Sequence, residues 1–505
     1  MKASLIFVND IVSYVLVAVR QGEKMMVNRI LEALKLKSNQ IFSVESEMEY
    51  TYFQLNICVN KMTNLIHENN WLKIALCVKQ GFWGYAAIIS SYLAGATFCV
   101  INPELSRFRI ESMLSDFQPD ILWINEKSER IDFDSFFYLD RILLEESDLN
   151  HDIFVNIHPN KYAYVMFTSG TTDKPKGCKI IREGVQKVCE FALNEFPISS
   201  GIIYGQYVPL HFDMSLIDVF CGVAQRAVFI VFDSIARKLR PANVINEYKV
   251  EFMNVTPQFI DVLMKSRGLK YELLSSLKAI RFGGDKIYRV KVQQIFCILP
   301  NIVIFSTYGA TETTLFCMCQ KIRRETLELY SRDILSIGKT IPGWEFQLVD
   351  VDENGIGEIV ILGDYIGDGY LGESGGGFGT VMIDNVSQKA YFTGDYARMF
   401  QNNLYFEGRR DCQIKINGQR GSLYEVEASM IEIGVDEVVA MFVSGSVYCY
   451  YVNANMISRQ DIQNGLRERL PQFMIPTQLI EIENMPYSSN GKIDKLRLIK
   501  IGSEM

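Results

Sequence analysis

The stretch YVMFTSGTTDKPKGCKI, Tyr164 to Ile180, sets Thr168, Ser169, Thr171 and Thr172 around Gly170 and follows them with Lys174, Pro175, Lys176 and Gly177. A glycine-rich turn points several backbone N–H groups into one concavity, which makes an anion site. The hydroxyls add neutral donors, and Lys176 adds a point charge. These types suit a loop that grips phosphate. It is not a Walker loop, because Pro175 stands where GxxxxGK[ST] needs its second glycine. It therefore belongs to another nucleotide-binding architecture or to none.

Further strings gather carboxylates, hydroxyls and cations in the same way. They are HFDMSLID (His211 to Asp218), STYGATETT (Ser306 to Thr314), AYFTGDYAR (Ala390 to Arg398), FEGRRDCQIKINGQR (Phe406 to Arg420) and NGKIDK (Asn490 to Lys495).

The elements that must hold these residues are short apolar runs alternating with helical segments. Residues 73–100 read as strand, turn, helix and strand, with a helical period from Trp83 to Leu93 and Gly95 as the stop. DILWIN, KYAYVMFTSG, AVFIVF, VEFMNVT and LKAIRFGGD read as further strands. The pattern predicts an α/β fold with a parallel-rich sheet flanked by helices. Ligands of such folds lie beyond the carboxyl ends of the strands, which is where the quoted loop falls. From about residue 340 alternating strands around the turn Asp352 to Gly357 predict a β-rich subdomain reaching about 410. Beyond Asp411, a strand, a helix (SLYEVEASMIEIG), two strands (VVAMFVSGSVYCYYVN) and another helix (SRQDIQNGLRERL) predict a small α+β domain. The expected division is therefore a large domain over 1–410 and a small mobile one over 411–505.

Composition sets outer limits. A chain of 505 residues, 48% of them hydrophobic, has material for two or three buried cores. A net charge of −8 gives no general attraction to nucleic acid. Eleven scattered cysteines without a CxxC pair suit a reducing, cytoplasmic setting and apolar packing, and four histidines make a zinc site improbable. The N-terminal MKASLIFVNDIVSYVLVAVRQ is broken by Asn9 and Asp10, too short for a membrane span, and reads as a buried helix or strand.

TSGTTxKPKG, TYGATE, YFTGD, GRRD and NGK, in this order over roughly residues 40–500, resemble the adenylate-forming superfamily. That family includes acyl-CoA synthetases, luciferases and nonribosomal peptide synthetase adenylation domains. YTYFQLN, YLAGATFCVINPELSRFR and LPQFMIP are similar to its amino-acid-activating branch, and the local strings also resemble stand-alone D-alanine:carrier-protein ligases.

The resemblance implies roles. Lys492 would be the catalytic lysine that reaches the carboxylate and the bridging oxygens, and Thr311 would sit beside the α-phosphate. Glu312 would be the Mg²⁺ carboxylate. Thr168, Ser169, Gly170, Thr171, Thr172 and Lys176 would cradle the phosphates of ATP, with Gly284 and Asp285 also at the nucleotide. Tyr308 would stack on adenine, and Asp395 and Arg409 would hold the ribose. Asp411 would be the hinge of the small domain, and Gly418 would line the thiol tunnel. Asp213 matches the aspartate that holds a substrate ammonium, with Phe212 as the aromatic gate; a helix N-cap is the alternative for Asp213. The pocket wall would take Met214, Ile217, Asn254, Arg281, Gly283, Thr307, Leu315 and Phe316. Arg281 is unusual. Pointing inward it would pair with a substrate carboxylate or fill the space so that only a small residue fits; pointing outward it would be a solvated strand residue.

Two departures stand out. Asp173 replaces a usual glycine, where it would repel phosphate or pair with Lys174 and stiffen the loop. Gly421-Ser422-Leu423 lacks a usual glutamate, which bears on contacts in the thiolation state.

The expected reaction is ATP-dependent activation of an amino acid and its transfer to the phosphopantetheine thiol of a separate carrier protein. The alternatives are an acyl- or aryl-CoA ligase, a D-alanine or glycine ligase serving the cell envelope, and a nucleotide-binding protein with degraded chemistry.

Overall fold

The computed structural model describes residues 24–35, 39–105, 107–125, 135–142, 153, 155–156, 159–168, 176–372, 376–409, 413–416, 419–443, 446–470, 474–488 and 493–504. The expected N-terminal helix or strand before Lys24 lies outside them.

Two parallel-rich sheets carry the large part of the molecule. The first runs in the order Phe136–Tyr138, Ile121–Ile124, Lys73–Cys77, Thr97–Ile101, Tyr162–Thr168 and Lys176–Ile181. Its pairings are parallel except the last, which is a hairpin. The second has nine strands: Lys339–Thr340, Met318–Ile322, Val303–Tyr308, Ala279–Phe282, Phe252–Val255, Ile203–Gln206, Val228–Val231, Ile41–Val44 and Glu49–Thr51. The six from Val303–Tyr308 to Ile41–Val44 are mutually parallel. ILWI, FMNV and AIRF are buried at every position, as expected where helices cover both faces of a sheet.

The strand–helix–strand reading of residues 73–100 is met by Lys73–Cys77, Phe82–Leu93 and Thr97–Ile101. Gly95 ends the helix at φ +78°, and a Cβ there would lie 2.9 Å from Asn156 and Pro159. Only glycine suits both the backbone angle and the space.

The β-rich segment is a five-stranded antiparallel sheet. Glu345–Val349, Ile356–Leu362, Val386–Phe400 and Phe378–Ile383 lie in that order, with Asn403–Arg409 added along Val386–Phe400. Asp352 closes its first hairpin, its Oδ1 accepting from the N–H groups of Asn354 at 2.9 Å and Ile356 at 3.0 Å. Towards the C-terminus, Glu437–Val443, Ser446–Val452 and Gln478–Glu481 form a three-stranded sheet. The helices Leu423–Ile433 and Arg459–Arg469 bury Val426, Met430, Ile462 and Leu466 in the same core. Both expected helices and the three expected strands, the first of them at Gln413–Ile416, are present.

Two buried carboxylates tie this smaller part to the larger one. Glu427 pairs with Lys286 and accepts from the Tyr288 hydroxyl at 3.3 Å. Glu437 pairs with Lys265. No helix among the described residues is long and apolar enough to cross a membrane.

Candidate functional site

Several of the predicted residues that the structure describes lie where the parallel strands end. Thr168 closes the strand Tyr162–Thr168 and pairs in register with Lys176, so both stems of the hydroxyl-rich loop are held by one hairpin. Ser169, Gly170, Thr171 and Thr172 lie outside the described residues, as do Asp173, Lys174, Asp411, Gly418 and Lys492. The ammonium of Lys176 lies 5.7 Å from the centre of the Tyr370 ring, within cation–π range.

The strand Val303–Tyr308 delivers the next group. Thr311 and Glu312 follow it in a single 3₁₀ turn, Thr311–Thr313, and Glu312 is buried. Its Oε1 accepts from the Tyr370 hydroxyl at 2.7 Å. The turn is locked from outside by three further bonds. Gly367 N–H donates to the Glu312 carbonyl at 2.7 Å, Trp344 Nε1 to the Thr313 carbonyl at 3.0 Å, and the Thr314 hydroxyl to the Tyr365 carbonyl at 2.7 Å. Thr314 and Leu315 sit at φ +68° and +62°. Two consecutive non-glycine residues there, one of them β-branched, are strained, and such strain persists only where the surroundings over-determine it.

The residues expected at the nucleoside also meet. Tyr308 donates its hydroxyl to Asp395 Oδ2 at 2.7 Å, and Asp395 stands opposite Arg409 in the strand pairing. Gly284 follows the strand Ala279–Phe282 at φ +85°. Asp285 beside it is exposed and accepts from Gln258 Nε2 at 2.7 Å.

Asp213 opens the 3₁₀ turn Asp213–Ser215, which runs into the buried helix Leu216–Ala224. No side-chain cap bond is made at the start of either, so the N-cap alternative is not taken. Burial pushes the Asp213 carboxyl up to about 6; hydrogen bonding to Thr311 opposes this and the charge of Glu312 adds to it. Its Oδ2 has no partner among the described residues. Phe212 is half-buried against His211, with ring centres 4.8 Å apart. A Cβ on Gly283 would meet Thr307 Oγ1 at 2.9 Å, Met214 Sδ at 3.2 Å and Arg281 Nη2 at 3.8 Å, so these wall residues converge on one small space. Ile217, Asn254, Leu315 and Phe316 are buried with them. Arg281 is 1% exposed, and its guanidinium carbon lies 4.5 Å from the Phe316 ring centre. The outward, solvated alternative for Arg281 is thereby excluded.

Three polar residues of this site were not foreseen. Tyr204 donates its hydroxyl to Asp218 Oδ1 at 2.7 Å, and the wall residue Asn254 donates to the same oxygen at 2.9 Å. The signal for Asp218 was present, as a lone charge in the apolar helix LIDVFCGVA. Tyr370 gave no signal in spacing, because it is 58 residues from Glu312 along the chain. Tyr370→Phe should lower ATP–pyrophosphate exchange about tenfold, since a hydrogen bond to a charged group contributes roughly 1.5–3 kcal/mol. Initial rates and a melting curve for the variant check this; an unchanged rate would show that the hydroxyl does not orient Glu312.

The profile of the AMP-binding enzyme family matches residues 32–371. The chain is 26% identical over 470 residues to a D-alanine–D-alanyl carrier protein ligase of Staphylococcus epidermidis, covering 90% of this chain and 94% of that one. It is 27% identical over 506 residues to a linear gramicidin synthase of Brevibacillus parabrevis, covering 92% of this chain and 9% of that much longer one. Among solved structures, IdnL7 superposes with a TM-score of 0.81 at 19% identity, over 95% of this chain and 99% of that one.

Proposed function

The chain belongs to the family of AMP-binding enzymes, and on that premise we propose that it activates an α-amino acid with ATP and passes it to the phosphopantetheine thiol of a separate carrier protein. In the first step a substrate carboxylate oxygen bonds to the α-phosphorus, the bond to the β-phosphate oxygen breaks and pyrophosphate leaves. In the second the thiol sulfur bonds to the acyl carbon, its proton is lost, and AMP departs with the electron pair of the acyl–oxygen bond.

Crowded negative charge is the obstacle in the first step, and preorganised cations and donors are the means of lowering it. Thr168 and Lys176, with the loop between them, grip the phosphates. Thr311 donates at the α-phosphate, and Lys492 neutralises the attacking carboxylate. Tyr308, Asp395 and Arg409 hold the nucleoside. Glu312 suits Mg²⁺, which takes one or two carboxylates and fills its shell with phosphate oxygens and water. Tyr370 occupies one of its oxygens and so sets the direction of the other. When bound, the ion withdraws charge from phosphate oxygens. Asp411 is the hinge between the 1–410 and 411–505 parts, and Gly418 leaves room for the pantetheine arm.

The observation that carries the amino-acid reading is Asp213. It is a buried carboxylate with an unpartnered oxygen, beside Thr311 and Glu312. Such a group is costly unless a cation completes it, and an α-ammonium does so. The test is ATP–pyrophosphate exchange with α-amino acids against fatty and aryl acids, followed by mass spectrometry of a carrier protein and of CoA as acceptors. Exchange with plain carboxylic acids alone, or a soluble CoA thioester as the only product, would refute the reading.

A pH dependence follows. Asp213 must be ionised to meet the ammonium, and its carboxyl in the unliganded protein stands at about 6. As pH falls through that value the proton-bound form takes over, so kcat/KM for the amino acid should drop about tenfold per pH unit below it, since kcat/KM reports groups of the free enzyme. The KM for ATP should lack this limb. A flat amino-acid profile from pH 7.5 to 5 would contradict the assignment.

A further inference from the structure

Beneath the ammonium site lies a second set of buried polar atoms without partners. Among the described residues Arg281 Nε and Nη1 meet no acceptor, and Asp218 Oδ2 and Asn254 Oδ1 meet no donor. The residues are 1%, 0% and 0% exposed. Their other atoms are fixed. Asp218 Oδ1 accepts from Tyr204 at 2.7 Å and from Asn254 Nδ2 at 2.9 Å, and Asn254 Nδ2 also donates to the Met214 carbonyl at 2.8 Å. Arg281 lies against the Phe316 ring and reaches towards Gly283. Buried polar groups are almost always satisfied, so a cluster of orphans beside the residues expected to wall the substrate needs an explanation.

Resting on the reading above that the substrate is an α-amino acid, we infer that its side chain is short, neutral and both accepts and donates hydrogen bonds, a carboxamide matching the orphan atoms most fully. A carboxamide oxygen accepts from Arg281, while its NH₂ donates to Asp218 Oδ2 and Asn254 Oδ1. A hydroxyl supplies one donor and is the second match. An acidic side chain satisfies Arg281 but sets its charge against Asp218 and leaves the two acceptors unmet. An apolar side chain leaves all of them desolvated and unpaired, the arrangement by which binding sites reject analogues lacking a polar group. The charges agree: Arg281 balances Asp218, and Asp213 balances the α-ammonium, so nothing remains for a charged side chain to neutralise. Burial pushes the Asp218 carboxyl up to about 7, with Tyr204, Asn254 and Arg281 opposing, so the group has charge to gain from a donor.

The experiment compares kcat/KM in ATP–pyrophosphate exchange for three sets. These are asparagine, glutamine, serine and threonine; alanine, valine and leucine; and aspartate and glutamate. A member of the first set is expected to lead the best apolar amino acid by on the order of 100-fold. An apolar or acidic amino acid in the lead overturns the inference while leaving amino-acid activation intact. Exchange with no α-amino acid overturns both. Arg281→Met should cut the ratio of the polar substrate to alanine at least about tenfold, acting mainly through the KM of the polar substrate. If that variant does not fold, Asp218→Asn, which keeps shape and loses charge, reads the same ratio. An unchanged ratio in a folded variant overturns the inference, because a merely structural role would slow all substrates alike.

Discussion

Glu312→Gln should lower ATP–pyrophosphate exchange by about 10²–10³-fold without unfolding the protein. The substitution keeps the shape of the side chain, and the amide oxygen can still accept from the Tyr370 hydroxyl that bonds Oε1 at 2.7 Å. The turn that holds the residue is fixed by main-chain and neighbouring bonds that do not involve its carboxylate. What disappears is one negative charge in a buried setting, where electrostatic terms are least screened. A preorganised electrostatic contact of this kind contributes on the order of 3–4 kcal/mol to the transition state, hence the expected range. Amino-acid binding, measured by calorimetry without nucleotide, should change little. A variant that retained more than about a tenth of the exchange rate would remove Glu312 from the phosphate chemistry, because so small a loss is under about 1.4 kcal/mol.

Asp213→Asn should reduce kcat/KM for the amino acid by a similar factor and leave the KM for ATP within a few-fold. Breaking a buried ion pair from one side costs roughly 3–5 kcal/mol, because the other charge is left uncompensated. On the proposed reading that other charge belongs to the substrate, so the loss should fall on amino-acid binding and activation rather than on folding. The protein itself should melt no lower, since the substitution relieves a carboxyl that burial holds at about 6. The sharper readout is selectivity. The wild type should prefer an amino acid to its deaminated analogue, and the variant should lose most of that preference. If both enzymes treated the pair alike, Asp213 would not be the ammonium site.

Much of the architecture was legible because its signals are local. Apolar runs such as DILWIN and VEFMNVT became the strands Ile121–Ile124 and Phe252–Val255, and Gly95 ended its helix where the pattern stopped. The hydroxyl-rich string did follow a strand, and TYGATE did turn at the end of Val303–Tyr308. Strings of this kind carry their chemistry in a few consecutive residues, so one sequence suffices to raise them. The bond between Tyr370 and Glu312 was not legible. It depends on the segment 365–371 folding over the turn 311–315, and no local spacing encodes that approach.

Arg281 marks where residue types stop and packing takes over. Side chains alternate along a strand, so Arg281 must face away from Ile280 and Phe282, but the sequence does not say which face holds a cavity. In a parallel sheet covered on both sides, both faces read as apolar and the alternation carries no inside or outside. The same holds for Asp218, in a helix buried at every position from Leu216 to Ala224. The sequence by itself determined the family, through short strings such as TSGTTDKPKG and TYGATE whose residue types and order are local. Only the tertiary structure decided that Arg281, Asp218 and Asn254 lie in one buried cluster, because each stands on a different element and they meet only when the sheet and its covering helix close.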